Sequence, residues 1–156
     1  MISLKKRNQG FTIVELLIVI VVIGILALLV ITTYSGIQAK ARNSKRQTDV
    51  QSIQTQLEAF FSQNGYYPSL TDMNSATWLT TNMKSLDQNA LIDPKNPTQS
   101  KTLLTAPAAN SYSYAVTDSS DASCEATDTN CAKYTLTATY EGTVNGATTY
   151  TKSNLD

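Results

Sequence analysis

The chain has 156 residues, of which 15% are charged and 42% are hydrophobic, and it contains no histidine. A chain of this length corresponds to a single domain. The lack of histidine excludes the Ser-His-Asp triad, the Cys-His pair and imidazole metal ligands, which closes the commonest routes to an enzyme. We therefore expect no catalytic residue.

The charges are balanced in number but not in position. Residues 1–47 carry seven Lys or Arg side chains and one Glu, whereas residues 48–156 carry five Lys and eleven Asp or Glu. The second part is also rich in Ser, Thr, Asn and Gln. This distribution favours a basic, apolar front and a polar domain exposed outside the cell.

The N-terminal segment joins a short basic stretch to a long apolar one. Lys5-Lys6-Arg7 precedes Gly10, and residues 11–31 carry one charge, at Glu15. As a helix, these 21 residues would be about 31 Å long, which matches a hydrocarbon core of about 30 Å. The positive-inside rule then places the N-terminus in the cytoplasm and the acidic domain outside.

Two simple interpretations of this segment leave something unexplained. A secretory signal peptide cleaved near Ala39-Lys40-Ala41 has a shorter apolar region and no internal carboxylate. A plain membrane anchor accounts for the length but not for Glu15, because a carboxylate in the bilayer is costly and marks a functional site.

The stretch Gly10-Phe11-Thr12-Ile13-Val14-Glu15, followed by an unbroken apolar run, resembles the class III signal of type IV pilins and pseudopilins. The resemblance covers residues 5–31. It implies that a prepilin peptidase cleaves between Gly10 and Phe11, that the new amine of Phe11 is methylated, and that the apolar helix lies in the cytoplasmic membrane before it packs into a surface filament.

The same resemblance implies a role for Glu15. In a filament its carboxylate would pair with the Phe11 amine of a neighbouring subunit and select one axial register, because an unpaired buried carboxylate is destabilising. A glutamate that snorkels to the membrane surface is the alternative. Many pilins have a proline where this chain has Thr32, so it stays open whether the helix loses order between Gly24 and Thr32.

Four segments follow from these patterns. We expect a leader at 1–10, a transmembrane or filament-core helix at 11–36, an amphipathic continuation of that helix at 37–64 and a globular head at 65–156. Apolar residues recur at helical spacing in the continuation, at Ile37, Ala41, Val50, Ile53, Leu57 and Phe60. Asn64-Gly65 is a helix C-terminal signal, so the helix is predicted over 11–63.

The head is predicted to be a small antiparallel sheet preceded by irregular structure. Tyr66-Tyr67-Pro68 is similar to the segment that follows the helix in pilins, and a short helix with Trp78 in the core is expected at 75–83. Asp93-Pro94 and Asn96-Pro97 indicate an irregular loop. Period-two patterns predict strands at 112–116 and 134–140, and Asn145-Gly146 predicts a hairpin to a third strand through Thr149 and Tyr150. The fold class is therefore α+β: a long N-terminal helix packed on a small antiparallel sheet.

Cys124 and Cys131 are separated by six residues, which favours one disulfide and an oxidising compartment over two free thiols. Four carboxylates lie in the same stretch, at Asp118, Asp121, Glu125 and Asp128. They could hold calcium through oxygen ligands, although the spacing is not that of an EF-hand. We favour a solvated acidic loop and expect no other metal or cofactor.

Lys40, Arg42, Lys45 and Arg46 form a basic cluster just beyond the apolar run. Such a cluster meets lipid phosphates or acidic neighbours. No aromatic residues interleave with it, so we do not expect DNA binding.

The leading hypothesis is a structural subunit of a type IV pilus, a homopolymer that acts through assembly, retraction and surface contact. Its partners would be copies of itself, the prepilin peptidase and the pilus assembly machinery. A pseudopilin of a type II secretion or DNA-uptake system is the first alternative. A monomeric, membrane-tethered binding protein is the second.

Overall fold

The computed structural model describes residues 10–126 and 128–155, with Thr32 described by its backbone alone. Residues 1–9 of the predicted leader, which spans 1–10, therefore lie outside the described residues. The described elements are α1 (Ile13–Asn64), α2 (Leu70–Met73), α3 (Ala76–Asn82), a 3-10 helix (Gln88–Leu91), β1 (Tyr112–Asp118), β2 (Cys131–Val144) and β3 (Ala147–Ser153).

Helix α1 confirms the predicted long helix. It begins at Ile13, two residues later than predicted, because Thr12 acts as its N-terminal cap. It ends at Asn64, where Gly65 takes a left-handed φ of 79° and donates its N–H to the Phe61 carbonyl at 2.7 Å. Glycine is favoured at this position because it has no Cβ to clash in the left-handed conformation.

The chain divides into two compact units, one ending at Gln38 and one running from Ala39 to Asp156. In the first unit, the large apolar side chains of α1 are about half to nine-tenths exposed. In the second unit, the rest of α1 packs with the remaining elements. The amphipathic part of the helix thus belongs to the same compact unit as the residues predicted to form the head.

The sheet confirms the predicted antiparallel strands, in the order β1-β2-β3. Tyr114 pairs with Leu136, and Ala138 pairs with Tyr150. The predicted hairpin joins β2 and β3 through Asn145 and Gly146, whose φ angles are 51° and 83°. Positive φ at both central residues is the requirement of a type I′ turn, which the Asn-Gly pair meets.

One hydrophobic cluster joins α1 to the sheet. Val50, Ile53 and Leu57 are fully buried, as are Tyr114 and Leu136 of the strands. Burial of large apolar side chains supplies most of the free energy that holds such a unit together. The helix lies on one face of the sheet because these side chains share one face of α1.

Two details of the segment between α1 and β1 differ from prediction. The expected short helix is α3, but Trp78 is only partly buried against Phe60, with ring centroids 5.3 Å apart, and Leu79 is its buried residue. Helix α2 was not predicted. Its signal is a capping box, since the Ser69 hydroxyl accepts the Asp72 N–H while the Asp72 carboxylate accepts the Ser69 N–H.

Candidate membrane and assembly segment

The N-terminus of α1 is closed by a capping box between Thr12 and Glu15. The Thr12 N–H and hydroxyl both donate to Oε2 of Glu15, at 2.8 and 2.7 Å, and the Glu15 N–H donates to the Thr12 hydroxyl at 3.2 Å. These bonds satisfy backbone donors that no helical carbonyl can reach. Thr12 was not singled out from the sequence, although Thr-x-x-Glu before an apolar run is the signal of such a box.

The predicted cleavage position lies just before this cap. Phe11 is 87% exposed, and an added Cβ at Gly10 would meet no atom within 4 Å. In the described residues, Gly10 and Phe11 are exposed and precede the first helical residue, so the peptide bond between them lies in accessible, non-helical chain. Cleavage and N-methylation stay predictions, which this geometry allows.

The first half of α1 presents apolar side chains in all directions. By its length and composition, α1 could cross a membrane. Leu28 and Ile31 are 67% and 66% exposed, which is unfavourable in water and favourable in lipid or against other apolar helices. The helix is continuous through Gly24 and Thr32. Thr33 donates its hydroxyl to the Leu29 carbonyl at 2.9 Å, a local contact that does not interrupt the helix.

The cysteine loop is closed as the sequence suggested. A disulfide joins Cys124 to Cys131, with Cα atoms 5.9 Å apart. Cys131 is fully buried, and its carbonyl accepts the Tyr67 N–H at 2.9 Å. This backbone hydrogen bond connects the end of the loop to the chain that leaves α1, and the disulfide closes the loop itself.

Three of the four carboxylates near this loop have partners, and those partners differ. Asp118 accepts the Ser120 hydroxyl and backbone N–H and the Ala122 N–H, and these bonds, led by the Ser120 hydroxyl, lower the pKa of Asp118. Asp121 pairs with Lys133 at 2.8 Å. Asp128 accepts the N–H of Glu125 at 2.7 Å.

In residues 10–126 and 128–155, no three acidic or thiol side chains come together to hold a metal. The local geometry is that of a solvated loop held by its own turns. Calcium binding stays a prediction that needs a direct measurement.

Three side chains of the basic cluster pair with acidic residues of the protein itself. Arg46 is fully buried and pairs with Asp93 at 2.7 Å, and Arg42 pairs with Glu141 at 2.6 Å. Lys45 pairs with Asp49 at 2.6 Å. Of the two partners that the sequence left open, acidic neighbours are the ones found for these three side chains.

Taken together, a capped apolar helix that continues into a sheet-bound amphipathic half defines a pilin-like α+β protein. Residues 5–31 match the family model described as the prokaryotic N-terminal methylation motif. The chain is 39% identical over 63 residues to the type IV major pilin protein PilA of Myxococcus xanthus, covering 40% of this chain and 29% of that protein.

It is also 35% identical over 66 residues to the type II secretion system core protein G of Dickeya chrysanthemi, covering 42% of this chain and 43% of that protein. The match to the Escherichia coli core protein G is 35% over 63 residues, or 40% and 43% of the two chains. No solved structure matches the chain.

These comparisons confirm the resemblance to pilins and pseudopilins that the sequence suggested. The matched region spans less than half of each of these three relatives. The matches extend over some 65 residues, a length close to that of the leader and α1 together.

Proposed function

We propose that this chain is the precursor of a structural subunit of a type IV pilus. The prepilin peptidase removes residues 1–10, the Phe11 amine is methylated, and the mature chain waits in the cytoplasmic membrane before it enters an extracellular filament. The observation that carries the proposal is the methylation motif at residues 5–31, which begins the exposed apolar helix.

The exposed apolar surface explains why such a chain polymerises. Side chains such as Leu28 and Ile31 bury little surface within the monomer. Lipid tails cover them in the membrane, and the helices of other copies cover them in a filament, where head groups can face water. Assembly thus exchanges one apolar environment for another, so the choice of neighbour depends on side-chain packing and on polar contacts between helices.

Glu15 is the polar group placed to supply that specificity. Both donors of Thr12 end on Oε2, so among the described residues Oε1 of Glu15 is left for another donor. The methylated, cationic Phe11 amine of a neighbouring copy is such a donor. A charge-assisted hydrogen bond between them is short and strong, and a shift along the filament axis would break it.

The pseudopilin alternative keeps the fold and changes the machine. The matches to type II secretion system core protein G favour it as much as the PilA match favours the pilus. The dipeptides Tyr67-Pro68 and Asp93-Pro94 also resemble sequence features of some major pseudopilins. A processed chain that stays in the membrane fraction would support this alternative over the pilus.

Mass spectrometry of sheared surface material, compared with the membrane fraction of the native host, tests the proposal. We expect abundant sheared protein that begins at N-methylated Phe11. A chain that still carries residues 1–10, in a host with an active prepilin peptidase, contradicts both the pilus and the pseudopilin hypotheses. It supports a tethered monomeric binding protein.

Glu15→Gln sharpens the test because it removes the charge and keeps the shape. We expect a processed chain that remains in the membrane and yields few filaments. Glu125→Gln, on an exposed carboxylate of the disulfide loop, is the matched control and should assemble normally. Normal filaments from Glu15→Gln would rule out the pairing with the Phe11 amine.

A further inference from the structure

The first turns of α1 in the second compact unit are buried in an unusual way. Between Ala39 and Asp49 the buried side chains are Asn43, Arg46 and Asp49, all of them polar. Amphipathic helices ordinarily bury apolar residues on the face that packs. In α1 that pattern begins only at Val50, so residues 39–49 are attached to the protein by polar contacts.

Arg46 is the centre of these contacts. Its side chain is fully buried, and it donates from Nε and Nη2 to the two carboxylate oxygens of Asp93, at 2.7 and 2.9 Å. Its Nη1 donates to Oδ1 of Asn43 at 2.7 Å and to Oε1 of Glu141 at 3.0 Å. The guanidinium therefore joins α1 to the loop at Asp93 and to β2 at Glu141.

The neighbouring groups strengthen the same junction. Asn43 makes two bonds to the Glu141 backbone, donating to its carbonyl at 3.1 Å and accepting its N–H at 3.0 Å. The Glu141 carboxylate also accepts two bonds from Arg42, at 2.6 and 2.7 Å, and one from Lys95 at 3.0 Å. Two carboxylates and three cations are thus arranged around one point of the helix.

We propose that Arg46 is a positioning residue that clamps residues 39–49 of α1 to β2 and to the Asp93 loop. Once this clamp is removed, these turns detach from the sheet while the apolar turns from Val50 onward stay docked. Buried ion pairs are poor general stabilisers, but they select one arrangement because every partner must be satisfied at once. The clamp therefore has two states, docked and released.

The clamp gives the proposed filament subunit a specific mechanical property, and this consequence rests on the proposed function. Helix α1 is continuous from Ile13 to Asn64, so tension applied to its apolar part reaches the second unit first at residues 39–49. When contacts break one helical turn at a time, the contacts nearest the applied tension bear the load first. In this protein those contacts are made by Arg42, Asn43 and Arg46.

Amide hydrogen exchange of the full-length chain in lipid nanodiscs tests the clamp. Arg46→Met alone would leave the buried Asp93 carboxylate with the Lys95 N–H, at 2.8 Å, but without its cationic partner, so the double variant Arg46→Met/Asp93→Leu removes both charges. We expect exchange of amides 43–49 to accelerate about tenfold or more, with amides 53–60 changed less than about twofold. Arg46→Lys keeps the positive charge but cannot donate to both carboxylate oxygens of Asp93 at once. It should show a smaller acceleration of exchange at the same amides.

Lys133→Met/Asp121→Asn is the matched control, because it removes an ion pair whose side chains are 46% and 76% exposed. It should leave amides 43–49 unchanged. Unchanged protection of amides 43–49 in the double variant, or equal acceleration throughout α1 and the strands, would overturn the proposal. If the double variant does not fold, Arg46→Lys decides by the same comparison of local and uniform exchange.

The outcome for the clamp is separate from the outcome for the filament. Exchange is measured on the unassembled chain, whereas the pilus proposal is tested by the processed, sheared protein. A local acceleration in a chain that forms no filaments would support the clamp and contradict the pilus. Uniform acceleration of amide exchange, in a protein that does assemble into filaments, would contradict the clamp and support the pilus.

Discussion

Thr12 and Glu15 cap one helix end reciprocally, with the Glu15 carboxylate accepting two bonds from Thr12 and the Thr12 hydroxyl accepting the Glu15 N–H. The contact bonds a carboxylate to Thr12, the residue that follows Phe11, whose amine we propose is methylated after cleavage. Glu15 therefore has a local structural role in addition to the intermolecular one that we propose.

The capping box predicts that Thr12→Val loosens the first turn of α1. Valine has nearly the shape of threonine but no hydroxyl, so the Glu15 N–H loses its acceptor, at a cost of about 1 kcal/mol. Faster amide exchange at Glu15 and Leu16 in a membrane mimetic is the expected result. Thr12→Ser keeps the hydroxyl and should retain the protection. Equal protection in the valine and serine variants would show that the hydroxyl does not cap the helix.

The ion pairs of Glu141 should make the free energy of unfolding depend on pH in the acid range. The hydrogen bonds from Arg42, followed by those from Lys95 and Arg46, lower the pKa of Glu141 from 4.5 to about 2. A carboxyl with a lowered native pKa stabilises the fold fully above its unfolded pKa, and this contribution is lost as pH falls toward the native pKa. We expect up to about 3 kcal/mol of the free energy of unfolding to be lost between about pH 4.5 and 2.

Denaturant unfolding of wild type and Glu141→Gln over this pH range checks the prediction. The variant should be less stable than wild type at pH 6, because glutamine cannot replace the ion pairs. Its stability should also fall less steeply between pH 4.5 and 2. Parallel curves for the two proteins would place the acid sensitivity in another carboxylate.

The periodic features of the fold could be predicted from the sequence. The long helix follows from an uninterrupted apolar run that continues at helical spacing to Phe60, and the strands follow from alternation at Tyr112–Val116 and Tyr134–Tyr140. The hairpin follows from Asn145-Gly146 because few other pairs accept positive φ at both positions. Each of these signals is local, so one sequence is enough to detect it.

The burial of Arg46 could not be predicted in this way. Its partner Asp93 is 47 residues away in sequence, and charged side chains are exposed unless a paired partner is present. Asp93-Pro94 indicated an irregular loop, which is correct for the backbone but gives no information about where the carboxylate points. The basic cluster therefore suggested lipid phosphates as readily as the acidic neighbours that the structure contains.

Loss of the disulfide should destabilise the second unit without changing its fold. Closing the short loop between Cys124 and Cys131 restricts the unfolded chain, which corresponds to about 2–3 kcal/mol in the chain-entropy description. Cys124→Ser/Cys131→Ser should lower the free energy of unfolding by that amount in non-reducing buffer. A reducing agent should destabilise the wild type and leave the variant unchanged. Equal stability of the two oxidised proteins would contradict the prediction.

Two glycines should respond in opposite directions to replacement by alanine. Gly146 has a φ of 83° in the hairpin, where a Cβ is strained, so Gly146→Ala should destabilise the β2–β3 hairpin by about 1 kcal/mol. Gly36 lies inside α1, and an added Cβ would meet no atom within 4 Å, so Gly36→Ala should stabilise the helix around it by about 0.5–1 kcal/mol.

Each change is measured where it acts, by denaturant unfolding for Gly146→Ala and by amide exchange of residues 34–40 in nanodiscs for Gly36→Ala. The surrounding space is open at both glycines, so differences in packing cannot explain opposite changes in stability. The sign of each stability change depends instead on the backbone conformation of the glycine. If Gly36→Ala accelerates exchange, the helix around Gly36 requires a conformation that alanine resists. Because the helix is continuous through this region, we expect slower exchange instead.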